Sequence, residues 1–275
     1  MNKLDLKNPK IIIHDNPIAR AYISILISKK ITLEEVIFLI NKKYKWLPNK
    51  LACYFNFYRN NHYALQLKKN EIFLKLKNQM INYFNLYENF YDDLYKFNLF
   101  YNISKKITFI KNDNINSDEL YNLLKDQNSN FIYTGGGILK NRILNTKNKF
   151  FHIHPGYLPE VRGADGLLWS AKLFDCFGVS FFQMNNEIDQ GKIIVKKKYD
   201  LPKFYFENLK NYQIKNIYRF VYSYIDPALR AKMFDYVISN FNSLNYMLEE
   251  KMEGNYYSFM NNKDIENSFK KFLLD

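Results

Sequence analysis

The sequence lacks the features of a secreted or membrane-spanning protein. Its two cysteines, Cys53 and Cys176, show no metal-ligand spacing, so we expect neither a disulfide framework nor a zinc site. No uninterrupted apolar run reaches the roughly 18 residues that a transmembrane helix needs. Residues 1–5 lack the apolar segment of a signal peptide. These absences predict a cytoplasmic protein that does not enter the membrane.

Arginine is scarce as well, since only six of the 40 basic residues are arginine. The formal net charge of +13 would suit a nucleic-acid partner. However, arginine is the preferred base-reading residue, and the lysines are scattered in short groups such as 29–30, 42–43 and 196–198. A solvated basic surface is therefore favoured over a nucleic-acid site, and we expect no nucleic-acid partner. An anionic small substrate would need only a local positive field.

Histidine is rare too, yet two of the four histidines, His152 and His154, stand two residues apart at the end of an apolar run. Residues i and i+2 of an extended strand project to the same face, so both rings can enter one cleft. A Pro-Gly pair directly after His154 ends the strand there. Such a pair is a candidate for proton transfer or metal ligation. Asp189, on a turn closed by Gly191, can supply a carboxylate that orients one ring.

Short apolar segments alternate with helical patterns along the chain, which predicts an α/β fold with a doubly wound, mostly parallel sheet of Rossmann type. Ligands of such sheets bind beyond the carboxyl ends of the strands. The predicted strands are 11–13, 36–40, 107–110, 131–133, the histidine strand, and a further pair at 179–184 and 192–195.

The predicted catalytic domain covers residues 1–200 and contains a long helical insertion at about 42–104. Within the insertion, apolar residues recur at intervals of three and four from Phe73 to Phe97. This pattern predicts one amphipathic helix, which either packs on its own domain or forms a homodimer contact. Residues 201–275 show helical patterns on either side of Asp226-Pro227 and are expected to pack on the catalytic domain as a helical extension.

The order of the motifs resembles that of the folate-dependent formyltransferases. A strand is followed by the glycine-rich turn 135–137, then by the histidine strand with its His-Pro pair, by Leu-Pro and Arg-Gly pairs, and by the Ile-Asp-x-Gly motif at 188–191. The family includes methionyl-tRNA formyltransferase, glycinamide ribonucleotide transformylase and the sugar N-formyltransferases. The resemblance covers roughly residues 10–200 and is most specific over 130–195.

The resemblance implies transfer of a formyl group from 10-formyltetrahydrofolate to an amine by an asparagine, a histidine and an aspartate. His154 matches the family histidine and Asp189 the family aspartate, whereas the family asparagine falls on His152, where this chain departs from the pattern. We expect an N–H of His152 to donate to the oxyanion of the tetrahedral adduct. His154 would relay the proton, and Asp189 would fix its tautomer.

The resemblance also implies where the two substrates bind. In the family, the glycine-rich turn lines the pocket for the pterin ring of the folate. The expected folate-binding residues are Gly135, Gly136, Gly137, Ile138, Leu139, Asn186 and Glu187. The expected acceptor-binding residues are Tyr157 and Arg162. Arg162 would either bind an anionic group of the substrate or anchor a loop.

The choice of formyl acceptor is narrowed by features of particular relatives that this chain does not have. The turn after the first strand has no glycine-rich phosphate loop, and the residues after Asp189 favour helices over a β-barrel. These features favour a plan like that of the sugar N-formyltransferases, with a nucleotide-linked amino sugar as acceptor. Another small amine, such as an amino acid or a lipid precursor, stays open as the acceptor. Three alternatives stay open: activity like that of methionyl-tRNA formyltransferase, a binding protein without catalysis, and a metal-assisted hydrolase that uses His152, His154 and Asp189.

Overall fold

The computed structural model describes residues 9–100, 103–207, 209–240, 243–247 and 254–275. Its strands are β1 (Lys10–His14), β2 (Leu33–Leu39), β3 (Ser104–Ile110), β4 (Asn130–Tyr133), β5 (Lys149–His154), β6 (Val161–Gly163), β7 (Cys176–Gln183), β8 (Lys192–Asp200), β9 (Phe204–Tyr205), β10 (Asn255–Tyr257) and β11 (Leu273–Leu274). Seven of these form the central sheet in the order β3-β2-β1-β4-β5-β7-β8.

The strands from β3 to β5 in this order pair in parallel, and β7 and β8 extend the sheet in antiparallel fashion. Ile11, Ile12 and Ile13 of β1 are all fully buried, because helices cover both faces of the sheet at its centre. The predicted doubly wound, mostly parallel sheet is confirmed. Because parallel strands end at the same edge, His14, Tyr133 and His154 all lie at one side of the sheet.

Helices on both faces of the sheet follow the predicted alternation. The first of them begins at a conventional cap, where the Asn16 side chain accepts a hydrogen bond from the backbone N–H of Ala19 at 2.8 Å and Pro17 occupies the first turn. The helices are α1 (Pro17–Ser28), α2 (Asn49–Leu67), α3 (Glu71–Phe84), α4 (Phe90–Leu94), α5 (Asp118–Leu124), α6 (Asn141–Leu144), α7 (Gly166–Phe174), α8 (Ile214–Phe220), α9 (Asp226–Ser239) and α10 (Asn262–Phe269).

The expectation of one helix from Phe73 to Phe97 is wrong. Helix α3 ends at Phe84 because Asn85 adopts a left-handed conformation, with φ of 54°, and α4 resumes only at Phe90. Phe73 and Met80 are buried in the chain's own core. The apolar seam therefore packs inward, as the first of the two sequence-based alternatives expected, and it no longer supports a homodimer contact.

Helices α8 and α9 form one continuous helix, although the sequence predicted a break at Asp226-Pro227. A π-helical turn, Val221–Ile225, joins them. Pro227 has no N–H to donate to the carbonyl of Ser223, which lies one helical turn earlier. The hydroxyl of Tyr95 donates to that carbonyl instead, at 2.8 Å. The helix thus passes a proline without leaving an unpaired acceptor at Ser223, and α9 packs against α1, β5 and β7.

Two small sheets involve residues beyond 200, and one of them, β10 with β6, attaches such residues to the earlier part of the chain. Strand β10 pairs in parallel with β6, and β11 pairs in parallel with β9. The domain boundary at residue 200 stays a prediction. None of the helices in the described ranges combines the length and the apolar character that crossing a bilayer requires.

A buried ion pair joins the first strand and helix to the helical insertion. The guanidinium of Arg20 donates to both carboxylate oxygens of Asp15, at 2.6 and 3.0 Å. Its third nitrogen donates to the backbone carbonyls of Leu94 and Lys96, and its plane stacks on the Phe57 ring at 4.1 Å. The pair is therefore a structural tie between the sheet and residues of the insertion.

We predict that Arg20→Met lowers the free energy of unfolding by about 3–5 kcal/mol, because it leaves the Asp15 carboxylate buried without its partner. Urea denaturation followed by circular dichroism measures this loss. The double variant Asp15→Asn with Arg20→Met, in which both side chains are neutral, should recover part of the lost free energy of unfolding. Arg59→Met, which removes a half-exposed arginine 3.7 Å from Asp113, is the control and should cost less than about 1 kcal/mol. Equal losses in both single variants would contradict the assignment.

Candidate functional site

A cavity of about 540 Å³ opens at the carboxyl edge of the parallel strands. This is the position at which open α/β sheets bind ligands, and the volume suits a small organic molecule. Its wall contains residues that directly follow or end three strands, namely Asn16 after β1, Thr134 after β4, and both histidines of β5. The cavity is the place to test each residue expected from the sequence.

His152 and His154 both line this cavity, as their spacing on β5 requires. Each is more than nine-tenths buried. In the antiparallel pairing with β7, His152 lies opposite Phe182, and His154 lies opposite Ser180. The strand therefore holds the two rings on one face, in an environment largely shielded from water.

His154 contacts acceptors through both ring nitrogens. Its Nδ1 lies 3.4 Å from Oδ2 of Asp189, and its Nε2 lies 3.0 Å from the carbonyl oxygen of Val161. The same Asp189 oxygen accepts the backbone N–H of Gly163 at 2.9 Å. Burial lowers the pKa of His154 below its ordinary value of 6.5, while Asp189 opposes that shift. The ring is thus mainly neutral at pH 7. Its Nε2–H donates to Val161, so a proton that the ring takes up goes to the Nδ1 lone pair beside Asp189.

Asp189 is brought to His154 by a constrained loop between β7 and β8. Asp189 itself has a φ of 53°, and the Asn185 side chain accepts from the Glu187 N–H and donates to the Gln190 carbonyl. A Cβ on Gly191 would lie 1.5 Å from the Gln183 carbonyl oxygen, so only glycine fits there. The Asp-x-Gly spacing therefore fixes where the carboxylate points.

His152 is held by the protein in a single neutral tautomer. Its Nδ1–H donates to the carbonyl oxygen of Tyr133 at 2.9 Å, and its Nε2 lies 3.3 Å from Nη1 of Arg230, which can only donate. Burial and, next, the Arg230 charge lower the pKa of His152 to about 4. Neither ring nitrogen has an N–H left for an oxyanion. This geometry therefore does not support the donor role expected for His152, which stays a prediction.

The expected folate-binding residues divide into two groups. Gly135, Gly136, Gly137 and Ile138 line the cavity beyond β4, and Glu187 lines it from the β7–β8 loop. Leu139 does not, because its side chain is fully buried in the apolar core beneath α5 and α6, and Asn186 is exposed outside the wall.

The expected acceptor-binding residues lie outside the wall of this cavity. Arg162 donates to the carbonyl of Gly254 and so anchors the C-terminal segment, which was one of its two expected roles. The ring of Tyr157 packs under the ammonium groups of Lys196 and Lys198, at 4.5 and 4.3 Å, away from the histidines. The substrate-binding role expected for both residues is not met in this cavity.

The sequence-based expectations missed a polar stripe on the C-terminal helix. Tyr218, Tyr222, Asp226 and Arg230 recur at every fourth residue of the continuous helix 214–239, and all but Asp226 line the cavity. Polar residues at a spacing of four within an apolar helical pattern were the available signal. Their partners, which lie far away in the sequence, were not visible.

Asp165 joins this stripe to the C-terminal segment. Its Oδ1 accepts the hydroxyl groups of Tyr218 and Tyr222, at 2.6 and 2.8 Å, and its Oδ2 accepts the backbone N–H of Met260 at 2.9 Å. Phe259, the neighbour of Met260, is largely exposed and lines the cavity wall. One buried carboxylate thus fixes two sides of the cavity.

A metal centre is not supported by this arrangement. Within the ranges that the structure describes, no group of three or more histidine, cysteine, aspartate or glutamate side chains is placed to hold a metal ion. The Nε2 lone pair of His152 faces the positively charged Arg230, which would repel a cation. The two histidines and Asp189 therefore form a hydrogen-bonded site and not a ligand set.

Comparisons with known proteins place the fold. No family model matches the chain. A segment of 99 residues, 34% of this chain, is 34% identical to methionyl-tRNA formyltransferase of Finegoldia magna, and it spans only 32% of that protein.

Among solved structures, WlaRD, a sugar 3N-formyl transferase crystallised in the presence of dTDP and 5-N-formyl-THF, matches 98% of this chain and 80% of its own, with a TM-score of 0.50 and 16% identity. A 4-N formyltransferase from Francisella tularensis matches 91% of this chain and 76% of its own, with a TM-score of 0.49 and 15% identity. The likeness to WlaRD extends over nearly the whole chain, including the segments that the motifs do not reach. The chain therefore has the formyltransferase fold, as its motifs indicated.

Proposed function

We propose that this chain transfers a formyl group from 10-formyltetrahydrofolate to a primary amine. The observation that carries the proposal is the meeting of His154, Asp189 and the glycine-rich turn on the wall of one cavity at the carboxyl edge of the sheet. A buried histidine that is neutral at pH 7 and backed by a carboxylate can accept a proton from an attacking amine.

The donor's pterin ring is assigned to the side of the cavity formed by the glycine-rich turn and the β7–β8 loop. A Cβ added to Gly136 or Gly137 would meet nothing within 4 Å, so the space beside their backbone is open. Gly137 has a φ of 108°, which favours glycine. Ile138 and Met184 add apolar surface to the same wall. A flat polar ring finds both apolar contact and exposed backbone groups there.

The chemistry requires one proton acceptor and one oxygen-binding donor. The amine nitrogen attacks the formyl carbon, and the π electrons of the C=O bond move to oxygen. His154 takes a proton from the positively charged nitrogen of the adduct. The oxygen then re-forms the C=O bond as the bond from carbon to N10 breaks, and the proton passes to N10. The products are the formamide and tetrahydrofolate, without any change in oxidation state.

The preferred acceptor is a nucleotide-linked amino sugar. A second, more open cavity of about 620 Å³ shares Asp165, Tyr218 and Phe259 with the first. Its wall includes Lys215, a cation suited to phosphate, and Tyr212, an aromatic ring suited to a base. An acceptor that spans both cavities would place its amine near His154 and its nucleotide near Lys215.

Methionyl-tRNA is the second candidate acceptor, because the 99-residue sequence match is to a methionyl-tRNA formyltransferase. The two acceptors can be compared directly. We predict that the purified chain, given 10-formyltetrahydrofolate, formylates a dTDP- or UDP-linked amino sugar. Each transfer adds one CO unit to the acceptor, so its mass should increase by about 28 daltons. Formylation of methionyl-tRNA alone would replace the sugar acceptor. Folate binding without transfer to either acceptor would leave a binding protein.

We predict that His154→Ala lowers kcat by about 10²–10⁴-fold, because it removes the proton acceptor. The circular dichroism spectrum should be unchanged, since the loss concerns the reaction. His62→Ala is the matched control, because His62 lies exposed on α2. A wild-type rate in His154→Ala would exclude His154 as the acceptor of the proton.

The pH dependence should follow the lowered pKa of His154. The neutral ring is the active form, so kcat/KM should fall as the pH drops through an inflection below 6.5. Asp189 and Asp226 raise this pKa while burial and Arg230 lower it. Asp189→Asn removes one raising charge and should therefore move the inflection to lower pH, besides lowering kcat. A shift to higher pH would contradict the pairing of Asp189 with His154.

A further inference from the structure

The residue at the position of the family's asparagine cannot act as that asparagine does. Both nitrogens of His152 are used inside the protein, one to donate to Tyr133 and one to accept from Arg230. The formyl oxygen therefore needs a donor from elsewhere on the cavity wall. A donor that has no partner in the protein and is not sealed off from the cavity would be the natural candidate, because polar groups without a partner are rare in protein interiors.

Arg230 has donors to spare. Of the five N–H groups of a guanidinium, the one on Nε donates to Asp226, at 2.9 and 3.2 Å from its two oxygens. Nη1 donates to the carbonyl of Ile153 at 2.7 Å and to Nε2 of His152 at 3.3 Å. Nη2 has no acceptor in the part of the chain that the structure describes. It is also not among the fully buried atoms that lack a partner, and Arg230 lines the cavity, so we place Nη2 on the cavity side of the guanidinium.

Arg230 keeps its positive charge although the residue is more than nine-tenths buried. Burial alone would lower its pKa, but Asp226, together with Tyr22 and Tyr222, more than offsets this, and the net pKa is raised. His152 meanwhile stays neutral, so it adds no competing charge. The guanidinium is thus a fixed cation, held on three sides and open on the fourth.

We infer that Arg230 donates from Nη2 to the formyl oxygen and stabilises the oxyanion that forms there. His152 and Asp226 then act as positioning residues, because each holds one edge of the guanidinium. This inference rests on the proposed formyl transfer. It explains the departure at His152, since an imidazole lone pair can accept from arginine and thereby fix its plane.

A guanidinium can replace the amide donor on energetic grounds. Charge-assisted hydrogen bonds are roughly twice as strong as neutral ones, and loss of one oxyanion donor typically lowers kcat by about 10²–10³-fold. A nearby cation also disfavours the protonated form of the acceptor amine, which must be neutral to attack. The same residue therefore assists both the oxygen and the nucleophile.

The test uses a variant that removes the donor without leaving a lone buried charge. Arg230→Gln with Asp226→Asn removes both charges of the pair and keeps a polar side chain at each position. Arg20→Gln with Asp15→Asn is the matched control, because it neutralises another buried arginine–aspartate pair that lies outside the cavity wall. Both double variants should lose stability, and only the first should lose recognition of the formyl group.

Calorimetric titration with 10-formyl-5,8-dideazafolate and with 5,8-dideazafolate isolates that recognition. We expect wild type and control to bind the formylated probe at least about tenfold more tightly, as one hydrogen bond to a charged donor provides. The Arg230 variant should bind both probes equally. A preference that survives in this variant overturns the role of Arg230 and leaves the proposed function standing. Equal binding by wild type overturns the inference, and no binding of either probe overturns the proposed function with it.

A suppressor variant separates a catalytic role from a structural one. Adding His152→Asn to the neutral pair places the family's amide donor next to the missing guanidinium. We expect kcat, lowered about 10²–10³-fold in the neutral pair, to recover by at least about tenfold. Recovery of stability without recovery of kcat would show that Arg230 only supports the fold.

Discussion

The contact on which this cavity depends is the pair of hydrogen bonds from Arg230 on α9 to strand β5. One bond reaches the Ile153 carbonyl and the other reaches His152. They join the C-terminal helix to the strand that carries both histidines, at the point where that strand leaves the sheet. Because Asp226 holds the guanidinium from the helix side, the position of the strand end and the position of the helix are set together.

Such a buried ion pair is costly unless its remaining hydrogen-bonding groups are satisfied. Here three of the five N–H groups of Arg230 have partners, and the remaining two, on Nη2, have none among the described residues. The Asp15–Arg20 pair on the other side of α1 is, by contrast, completely enclosed, with its guanidinium bonded to main-chain carbonyls of the insertion. The two pairs thus differ in their relation to the cavity, because Arg230 lines its wall and Arg20 does not.

The sequence was sufficient where the signal was local. The alternation of side chains along β5 and the glycine two residues after Asp189 are short-range patterns, and both pointed to the edge of the sheet at which the cavity opens. It failed where a single backbone conformation decided the outcome, as at Asn85, which ends α3 inside an unbroken apolar pattern. It also failed at Arg230, because the partner at His152 is 78 residues away. Leu139 follows the glycine turn in sequence but turns into the core, which no local pattern reveals.

Through the contacts of Asp165, the cavity depends on residues that lie far downstream in the sequence. The loop that it belongs to is fixed by hydroxyl groups more than 50 residues downstream and by the Met260 amide 95 residues downstream, and β10 pairs with β6 over a similar separation. Contacts of such long range form late in folding, because closing large loops is entropically costly. A growing polypeptide can thus complete its parallel sheet, histidines included, well before it encloses a pocket, so the closed cavity and the native secondary structure are acquired at separate moments.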